Sequence, residues 1–489
     1  MEDISFERID EIMKEAWNAF HVFRNCSLHQ RANFMRTIAV EIEALGEELI
    51  TTAMEETNLP EARLKNERGR TCFQLNQYAN ACEQGNWLEV RIDTAIPDKA
   101  PPKPDIRKMQ VPLGPVVVFG ASNFPLAYST AGGDTATAFA AGCPVIVKAH
   151  PAHPKTSLLV ANAIHTAVKK SNLPDEIFHH VYGASFKVGE QLVKHSLTKA
   201  VGFTGSFAGG KQLFDWAHQR KEPIPVFAEM GSVNPVFLFP EKLASNPSEI
   251  AQQYAASITL GVGQFCTNPG LIIGIESEEL TTFIHDVGKI IQKTAPAKML
   301  HTGIVTAYKK NKGLALLQEE VHLVAEAEAD VDALDALPTI ATTTATTFLE
   351  NNLLHQEVFG PYSLIIRCKN MEEMLAVSQQ MQGQLTATLM ATENDILQNE
   401  QLVEAIKNIC GRLIVNSVPT GVEVCLSMHH GGPFPASTDA RFTSVGADAI
   451  KRFTRPICFQ NWQNNSLPNA LKDENPLGIW RTVNDELKK

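Results

Sequence analysis

The sequence predicts an α/β protein of two or three domains, built around mostly parallel β-sheets. Two observations carry this prediction. A chain of 489 residues is too long for one hydrophobic core. From Gly114 onward, short apolar runs alternate with helix-like segments, which is the pattern of parallel strands joined by helices. We therefore expect ligands to bind at the carboxyl ends of the strands.

The composition and the charge argue against two classes of partner. The sequence carries 44% hydrophobic and 20% charged residues, which is typical of a globular protein. Its net charge of −11 opposes contact with nucleic acid and with anionic membranes, so neither is an expected partner. The uncharged stretch from 111 to 133 is long enough to span a bilayer, but its three prolines favour a strand, a loop and the start of a helix.

The cysteines and the first residues indicate the compartment. The nine cysteines are scattered, with no CxxC pair and no zinc-ribbon spacing, so we expect reduced thiols and no bound metal. The segment MEDISFERIDEIMKEAW is acidic and helix-like, unlike a secretory signal. We predict a cytoplasmic protein.

Local patterns divide the chain into segments. Residues 5–93 show the three-and-four spacing of amphipathic helices. Five prolines in 94–114 exclude a helix and predict an extended arm or linker. Later segments are predicted as strands at 116–120, 145–147, 179–183 and 200–205, then in a second α/β region at 234–239, 271–274 and 413–416. We expect a loop at 431–445 and an irregular tail from Phe453 onward.

Cys266 is the candidate nucleophile. It lies in the stretch GVGQFCTNPG, where small residues let the backbone approach a ligand and leave the sulfur unobstructed. The other eight cysteines are interpreted as small buried hydrophobic residues.

The segment from Gly205 to Lys211 satisfies the first part of a P-loop, but Gln212 stands where a P-loop needs a hydroxyl to hold Mg²⁺. Triphosphate hydrolysis is therefore not expected. A strand, a glycine turn and a helix N-terminus remain, and this arrangement favours a phosphate group such as the pyrophosphate of a dinucleotide.

Three polar residues follow or end predicted strands. Glu229 lies within an apolar run, so its carboxylate is either paired or has a raised pKa. Asn123 follows the first strand of the sheet and could donate to an oxyanion, although a turn asparagine is the alternative. Lys148 ends the second strand. The pairs His179-His180 and His429-His430 indicate no clear site.

These features together resemble the aldehyde dehydrogenase superfamily over about residues 10–455. Six motifs stand in that family's order and approximate spacing: Asn123 in SNFP, Lys148, Gly205-Ser206 with Gly210, Glu229 in EMG, Cys266 in GQFC, and Glu357 to Pro361 in EVFGP. The resemblance implies a Rossmann-like cofactor domain at 1–93 and 114–230, a catalytic domain at 231–430, an oligomerisation arm at 94–113, and a C-terminal loop and tail at 431–489. It also implies a homodimer or a dimer of dimers.

The resemblance implies a chemistry for the motif residues. Cys266 attacks the aldehyde as a thiolate, Asn123 and the backbone N–H of Cys266 stabilise the oxyanion, and Glu229 deprotonates the water that hydrolyses the thioester. The catalytic set implied is Cys266, Glu229, Asn123 and Lys148. We expect the cofactor to contact a second set of residues, which also includes Lys148 and Glu229: Lys148, Pro151, Lys187, Gly205, Ser206, Gly210, Glu229, Gly231, Glu357 and Phe359.

Departures from the family pattern narrow the substrate. The tracts GSVNP after Glu229 and HGGPFP at 430–435 resemble the branch that holds 2-oxoglutarate semialdehyde dehydrogenases and a bacterial fatty aldehyde dehydrogenase. We favour 2-oxoglutarate semialdehyde, with a long-chain aldehyde as the alternative. Arg441 is a candidate to bind the far carboxylate of such a substrate.

The cofactor is expected to be NADP or NAD, with NADP favoured. NAD-preferring members of the family carry a glutamate three residues after the counterpart of Lys148, and this chain has Pro151 there. A carboxylate at that place would repel a 2′-phosphate, and Lys148 and Lys187 could instead attract one.

Two functions of other classes stay open on the sequence. A cysteine hydrolase would use the same thiol, but it has no need for the phosphate-binding turn at Gly205. A catalytically silent relative would have no reason to keep Cys266, Glu229 and Asn123 together.

Overall fold

The computed structural model describes residues 3–489, and it confirms a mixed α/β fold with two predominantly parallel sheets. A third sheet, of five strands, is mostly antiparallel, and a two-stranded ladder completes the strands of the described chain. The two parallel sheets carry the residues that the motifs single out.

Four helices precede the first strand, as the apolar spacing predicts. They are α1 (Phe6–Phe23), α2 (Leu28–Ala44), α3 (Gly46–Thr57) and α4 (Glu61–Gln84). Ser5 caps α1, and Ser27 forms a reciprocal capping box with Gln30 at the start of α2. Phe34 and Ile38 of α2 are fully buried, so these helices form part of the core.

The proline-rich segment leaves the helical region in extended form. The segment begins directly after β1 (Arg91–Asp93) and contains β2 (Ile106–Pro112). These two strands pair antiparallel. The exclusion of a helix from the segment 94–114 is therefore correct.

A five-stranded parallel sheet follows, and its strands and helices alternate along the chain. The strands are β3 (Val116–Phe119), β4 (Val145–Lys148), β5 (Phe178–Val181), β6 (Ala200–Thr204) and β7 (Val226–Glu229). The helices are α5 (Gly133–Ala141), α6 (Pro154–Lys170), α7 (Phe186–Lys194) and α8 (Phe207–His218). The order β5-β4-β3-β6-β7 places the switch point between β3 and β6, where a ligand crevice is expected.

Helices cover both faces of this sheet. Val116 and Val118 of β3 contact the core formed with α2, α4, α5 and α6, whereas Val117 points into the opposite core with α1 and α7. Because successive side chains of a strand face opposite ways, an unbroken apolar run is the expected sequence for a strand buried on both sides.

The second large sheet has seven strands in the order β11-β13-β14-β9-β8-β15-β16. The helices are α9 (Pro240–Ser245), α10 (Pro247–Thr259), α11 (Glu278–Lys293), α12 (Thr302–Leu316), α13 (Ala345–Glu350), α14 (Met371–Gln380), α15 (Glu393–Gln398) and α16 (Glu400–Ile409). The strands are β8 (Val236–Leu238), β9 (Leu271–Ile275), β11 (His322–Glu326), β13 (Thr339–Thr344), β14 (Tyr362–Cys368), β15 (Gln384–Met390) and β16 (Cys410–Val415). The ladder pairs β10 (Ala297–Lys298) with β12 (Asp335–Ala336). All strands of the large sheet are parallel except β11, which pairs antiparallel with β13.

The prediction of an irregular tail after Phe453 is wrong. Three strands follow that residue: β17 (Thr454–Gln460), β18 (Arg481–Val483) and β19 (Glu486–Lys488). They join β1 and β2 in a sheet of order β17-β2-β1-β18-β19. β17 pairs along the whole of β2, so its strand conformation is set by a partner more than 300 residues earlier, a contact that local sequence does not reveal.

Among residues 3–489, no helix is long and apolar enough to cross a membrane.

Candidate active site

Cys266 lies on a strained loop between α10 and β9. Gly261, Val262 and Gly263, shortly before it, have φ values of 54°, 60° and 63°, in the left-handed region. A Cβ on Gly263 would lie 2.3 Å from the carbonyl carbon of Gly360, so only glycine fits there. The loop that carries the thiol therefore packs against the backbone of the EVFGP segment.

Buried amide side chains fix this loop on its other side. The Asn234 Nδ2 donates to the carbonyls of Cys266, at 2.8 Å, and of Asn268, at 2.9 Å. The Gln264 Oε1 accepts from the backbone N–H of Leu300 at 3.0 Å. The backbone around Cys266 is held by partners from three separate segments, which limits how far the sulfur can move.

Glu229, at the end of β7, lies beside this thiol in a buried hydrogen-bond network. The Cys266 Sγ is 3.5 Å from the His430 Nε2, and the same nitrogen is 3.0 Å from the Glu229 Oε1. The Ser444 hydroxyl donates to the other carboxylate oxygen at 2.6 Å. The side chains of His430 and Glu229 are 0% and 3% exposed, whereas Cys266 is partly exposed, so the thiol is the side of the network that a substrate or water can reach.

The network sets the ionisation of both reactive groups. Burial would raise the pKa of Glu229, but the neighbouring His430 and the hydrogen bonds from His430 and Ser444 lower it below its ordinary value. The expectation of a paired carboxylate is therefore correct, and a raised pKa for Glu229 is wrong. Burial and the Glu229 charge raise the pKa of the Cys266 thiol well above its ordinary value, so the resting residue is a neutral thiol.

Asn123 follows β3 and is bonded to the loop that carries Cys266. Its Nδ2 donates to the backbone carbonyl of Gln264 at 3.2 Å, which leaves the second N–H of that amide for another acceptor. Its own carbonyl accepts from the Arg63 Nη2 at 2.8 Å. The amide expected to stabilise an oxyanion is thus tied to the same short segment that carries the nucleophile.

The N-terminus of α8 lies at the switch-point edge of the parallel sheet. Ser206 caps the helix and accepts from the Gly209 N–H at 3.3 Å. The first residues of the helix are exposed, and N–H groups at a helix start have no intrahelical partner. A Cβ on Gly210 would lie 2.6 Å from Met230, so this glycine lets α8 pack closely against the strand edge. These residues fit a pyrophosphate group.

Positive side chains lie farther along the same edge. Lys148 ends β4, and burial lowers its pKa while the charge of Asp3 opposes that shift. Pro151 is exposed in the following loop, and Lys187 is exposed in the first turn of α7. Asp3 reaches this region because its carboxylate accepts from the backbone N–H groups of Ala184, at 2.7 Å, and Ser185, at 3.3 Å.

Glu357 is a second, half-buried carboxylate near the thiol. It lines a cleft with Phe359, Ser232 and Asn268, and a Cβ on Gly231 would lie 2.6 Å from its Oε2. Burial raises the pKa of Glu357 to about 7, and a hydrogen bond with the Ser232 backbone only partly offsets that shift. Gly231 is therefore required for this carboxylate to occupy its place.

Comparison with known proteins identifies the family. The model of the aldehyde dehydrogenase family matches residues 1–455. The chain belongs to the aldehyde dehydrogenase family. It is 47% identical to alpha-ketoglutaric semialdehyde dehydrogenase 2 of Azospirillum brasilense over 479 residues, covering 97% of this chain and 90% of that protein. It is 43% identical to alpha-ketoglutaric semialdehyde dehydrogenase of Acinetobacter baylyi, covering 99% of this chain and 92% of that one.

Solved structures of more distant aldehyde dehydrogenases share the fold. The glyceraldehyde-3-phosphate dehydrogenase of Methanocaldococcus jannaschii, complexed with NADP, aligns with a TM-score of 0.76 at 21% identity and covers 94% of this chain and 95% of that one. A 3,6-anhydro-L-galactose dehydrogenase aligns with a TM-score of 0.79 at 20% identity, and the alignment covers 94% of this chain and 92% of that one. The family membership makes this chain an NAD(P)-dependent aldehyde dehydrogenase.

Sequence reasoning missed His430, which contacts both reactive groups of this aldehyde dehydrogenase. The histidine lies in the tract HGGPFP, which departs from the usual family pattern, and that departure is the one signal that could have drawn attention to it. Its backbone N–H donates to Thr443 Oγ1 at 2.8 Å, and its Nδ1 is buried with no partner among the described residues. The loop that brings it to Glu229 starts beyond the seven-stranded sheet, so spacing along the chain does not predict the contact.

The structure does not support Arg441 as a carboxylate-binding residue. Its side chain is 81% exposed, and its guanidinium donates to Asp439 at 2.8 and 2.6 Å. An arginine that is solvated and already paired has little to gain from a second carboxylate.

The expectation of no bound metal stays a prediction. The Cys266 Sγ, the His430 Nε2 and a Glu229 carboxylate oxygen lie within 4.8 Å of one another. These atom types also bind zinc.

Proposed function

We propose that this enzyme oxidises 2-oxoglutarate semialdehyde to 2-oxoglutarate with NAD(P). The observation that carries the proposal is the convergence of the partly exposed Cys266 thiol, the buried Glu229 carboxylate and the Asn123 amide at one loop. The substrate follows from the names of the two relatives at 47% and 43% identity, each covering nearly the whole chain.

In the first step, Cys266 attacks the aldehyde carbon. Because the resting thiol is neutral, its proton must move as the S–C bond forms, and the ionised Glu229 carboxylate is the base within hydrogen-bond reach of it. The carbonyl oxygen then becomes an oxyanion. The free N–H of Asn123 and the backbone N–H of Cys266 are the donors proposed to stabilise it.

In the second step, the carbon bound to Cys266 is oxidised to a thioester. The bound nicotinamide supplies the acceptor for the hydride that this carbon loses. Glu357 and Phe359 are proposed to hold the nicotinamide ribose, and the N-terminus of α8 with Ser206 to hold the pyrophosphate, as the residues there fit both groups. The role of the protein is to place the reacting carbon against that ring.

In the third step, water hydrolyses the thioester. Once the proton taken from Cys266 has passed to solvent, Glu229 takes a proton from the water and the new C–O bond forms; the C–S bond then breaks, the departing sulfur receives that proton from Glu229, and the acid is released. His430 donates through its Nε2 to Glu229, so we propose that it orients the carboxylate toward the water and keeps it ionised. Ser444 supports the other oxygen in the same way.

The cofactor preference is a separate proposal. We propose that NADP⁺ is used at least as well as NAD⁺, since Pro151 provides no carboxylate to repel a 2′-phosphate and Lys148 provides a cation at the end of β4. Asp3 is an opposing influence, because its negative charge acts on Lys148. The ratio of kcat/KM for the two cofactors tests this, and a tenfold preference for NAD⁺ would contradict it.

The oligomeric state is also proposed. The sheet of β17, β2, β1, β18 and β19 contains the predicted arm and ends in two edge strands, β17 and β19, whose backbone groups can pair with another chain. We propose at least a homodimer. A molar mass by light scattering equal to one chain of 53.7 kDa at micromolar concentration would exclude it.

The substrate is tested by comparing kcat/KM across an aldehyde panel. We expect 2-oxoglutarate semialdehyde to exceed neutral aldehydes of the same length and aldehydes of ten or more carbons. A preference for the long chains would move the assignment to fatty aldehydes. Cys266→Ala should abolish the oxidation of every aldehyde, and rapid ester cleavage that is indifferent to NAD(P) would favour a hydrolase instead.

A further inference from the structure

Three arginines lie near the nucleophile, and two of them donate to backbone carbonyls, although Arg63 Nη1 and Arg412 Nε are buried without a partner among the described residues. Arg63 stacks on the rings of Phe124 and Phe265, each at 4.8 Å, and donates to the Asn123 carbonyl. Arg412 donates to the carbonyls of Gly421, at 3.0 Å, and Pro419, at 2.7 Å. Both hold segments of the site in position.

Arg70 of α4 is held much less firmly. Its Nε donates to the Gln74 Oε1 at 3.4 Å and its Nη2 to the Tyr128 hydroxyl at 3.3 Å, two long bonds to neutral groups. Among the residues from 3 to 489, its Nη1 has no hydrogen-bond partner and no carboxylate lies within 4.0 Å of the guanidinium. A half-buried arginine without a counter-ion gains from binding an anion.

The position of Arg70 places it next to the reacting groups. The Tyr128 ring packs against Phe124 at 5.3 Å, and Phe124 packs against Phe265, the neighbour of Cys266, at 5.6 Å. Burial and the charges of Glu229 and Glu357 raise the pKa of Cys266, and the positive charge of Arg70 opposes this increase. This effect of Arg70 is the smallest of those that act on Cys266, so the guanidinium lies near the thiol without setting its ionisation.

Tyr128 adds a neutral donor at the same place. Burial raises the pKa of its phenol, so the hydroxyl keeps its proton, and in the structure that oxygen acts as an acceptor from Arg70. Its own O–H donates to no atom of the described chain and remains available. An arginine fork beside a phenol suits a carboxylate with an adjacent carbonyl oxygen.

We propose that Arg70 binds the carboxylate of the semialdehyde at the end away from the aldehyde, with the Tyr128 hydroxyl donating to the 2-oxo group. The inference rests on the proposed substrate. In an extended five-carbon chain the carboxylate carbon lies about 5 Å from the aldehyde carbon, by ordinary C–C bond lengths. Specificity for the acid thus comes from α4, outside the loop that carries Cys266.

Kinetics on three aldehydes test this assignment. The probes are 2-oxoglutarate semialdehyde, succinate semialdehyde, which keeps the carboxylate and lacks the 2-oxo group, and pentanal, which has neither. We expect Arg70→Gln to lower kcat/KM for both acids about 10- to 100-fold, mainly through KM, since hydrogen bonds to charged groups are of that strength. Pentanal should change by less than about threefold, and Arg70→Lys should recover part of the loss.

Arg68→Gln is the matched control. Arg68 lies two residues earlier on the same helix, where it bonds to the Gly46 carbonyl at 2.8 Å and pairs with Glu43 at 3.4 Å. Its substitution removes the same charge from α4, and we expect all three aldehydes to keep their relative kcat/KM. Tyr128→Phe should weaken 2-oxoglutarate semialdehyde more than succinate semialdehyde.

The outcomes separate the carboxylate site from the proposed substrate. A wild-type enzyme that does not distinguish 2-oxoglutarate semialdehyde from pentanal would overturn the substrate. A wild-type preference that survives unchanged in Arg70→Gln would overturn the role of Arg70 alone. An equal loss on acids and pentanal would also overturn it, because Arg70 would then act on the thiol or on the fold, and the rate of Cys266 alkylation would change in parallel.

Discussion

Two glutamates flank the same thiol, and their surroundings drive their pKa values in opposite directions. Glu229 has its carboxylate oxygens bonded to His430 and Ser444, and its pKa is lowered despite complete burial. Glu357 has a backbone contact to Ser232 and no comparable set of donors, and burial raises its pKa to about 7. Burial alone therefore does not decide the charge of a carboxylate; the number and charge of the donors do.

The difference matches the tasks that we propose for the two groups. A base that receives protons from a thiol and from water must be ionised before the reaction, and the donors around Glu229 ensure this. A carboxyl group that holds a ribose needs no fixed charge, so Glu357 can occupy an apolar cleft. The following predictions test the comparison, from the largest expected effect to the smallest.

The largest effect is expected from Glu229→Gln. Loss of a general base typically costs about 10²- to 10⁴-fold, so steady-state kcat should fall by that amount. The amide still fills the pocket but cannot take the Cys266 proton, so the first oxidation should be slowed; because hydrolysis depends on the same base, a burst of reduced cofactor approaching one per active site should still precede the slower steady state. Stopped-flow absorbance measures the burst. Unchanged steady-state turnover in Glu229→Gln would remove Glu229 from the mechanism.

Removal of a side chain that donates a hydrogen bond to Glu229 should have a smaller effect on kcat, and this effect should depend on pH. In wild type the pKa of Glu229 is lowered, so the carboxylate stays ionised at pH values below the ordinary pKa of a glutamate. The acid limb of the pH profile of kcat therefore lies at low pH. His430→Asn removes the first cause of that lowering, so the carboxylate protonates at a higher pH and the acid limb of kcat should move upward. We expect a loss of about 10-fold at neutral pH and a smaller loss for Ser444→Ala, on the scale of one hydrogen bond. A uniform loss at every pH would indicate that His430 only maintains structure.

These contacts also show what the sequence could predict. The strands at 116–120 and 200–205, the helix start after Gly205 and the nucleophilic loop at Cys266 are encoded in local apolar runs and glycines, and the structure has each of them. Glu229, Asn123 and Cys266 were recognised because the family motifs name them. His430 and Arg70 were not, because each acts through a contact with a distant segment that has no local pattern. The strand β17 escaped prediction for the same reason, since its only partner is β2.

Glu357→Gln should alter stability in a defined pH window. The folded carboxyl has a pKa of about 7 and the unfolded one an ordinary value near 4.5, so the folded state holds the extra proton between these values. Stability from this group is complete below pH 4.5 and is lost as the pH rises through 7, on the order of 3 kcal/mol. The glutamine cannot ionise, so the variant should melt at a higher temperature than wild type at pH 8 and at the same temperature at pH 4.5. A lower melting temperature at pH 8 would contradict the raised pKa.

The smallest effect is expected from Asp3→Asn. Asp3 is an exposed carboxylate, so it adds a third environment to the comparison of Glu229 with Glu357. Its pKa is lowered by hydrogen bonds from the Ser185 side chain and from the backbone of Ala184 and Ser185, so it is ionised at neutral pH. Its charge acts on Lys148, the cation proposed to meet a 2′-phosphate. Asp3→Asn keeps an acceptor oxygen for the same backbone groups but removes the charge, so kcat/KM for NADP⁺ should rise about threefold, as expected for a screened surface charge, and that for NAD⁺ should not change. Repeating the measurement at high salt should abolish the difference between the variant and wild type, whereas an equal change for both cofactors would show that Asp3 acts on the loop and not on the phosphate.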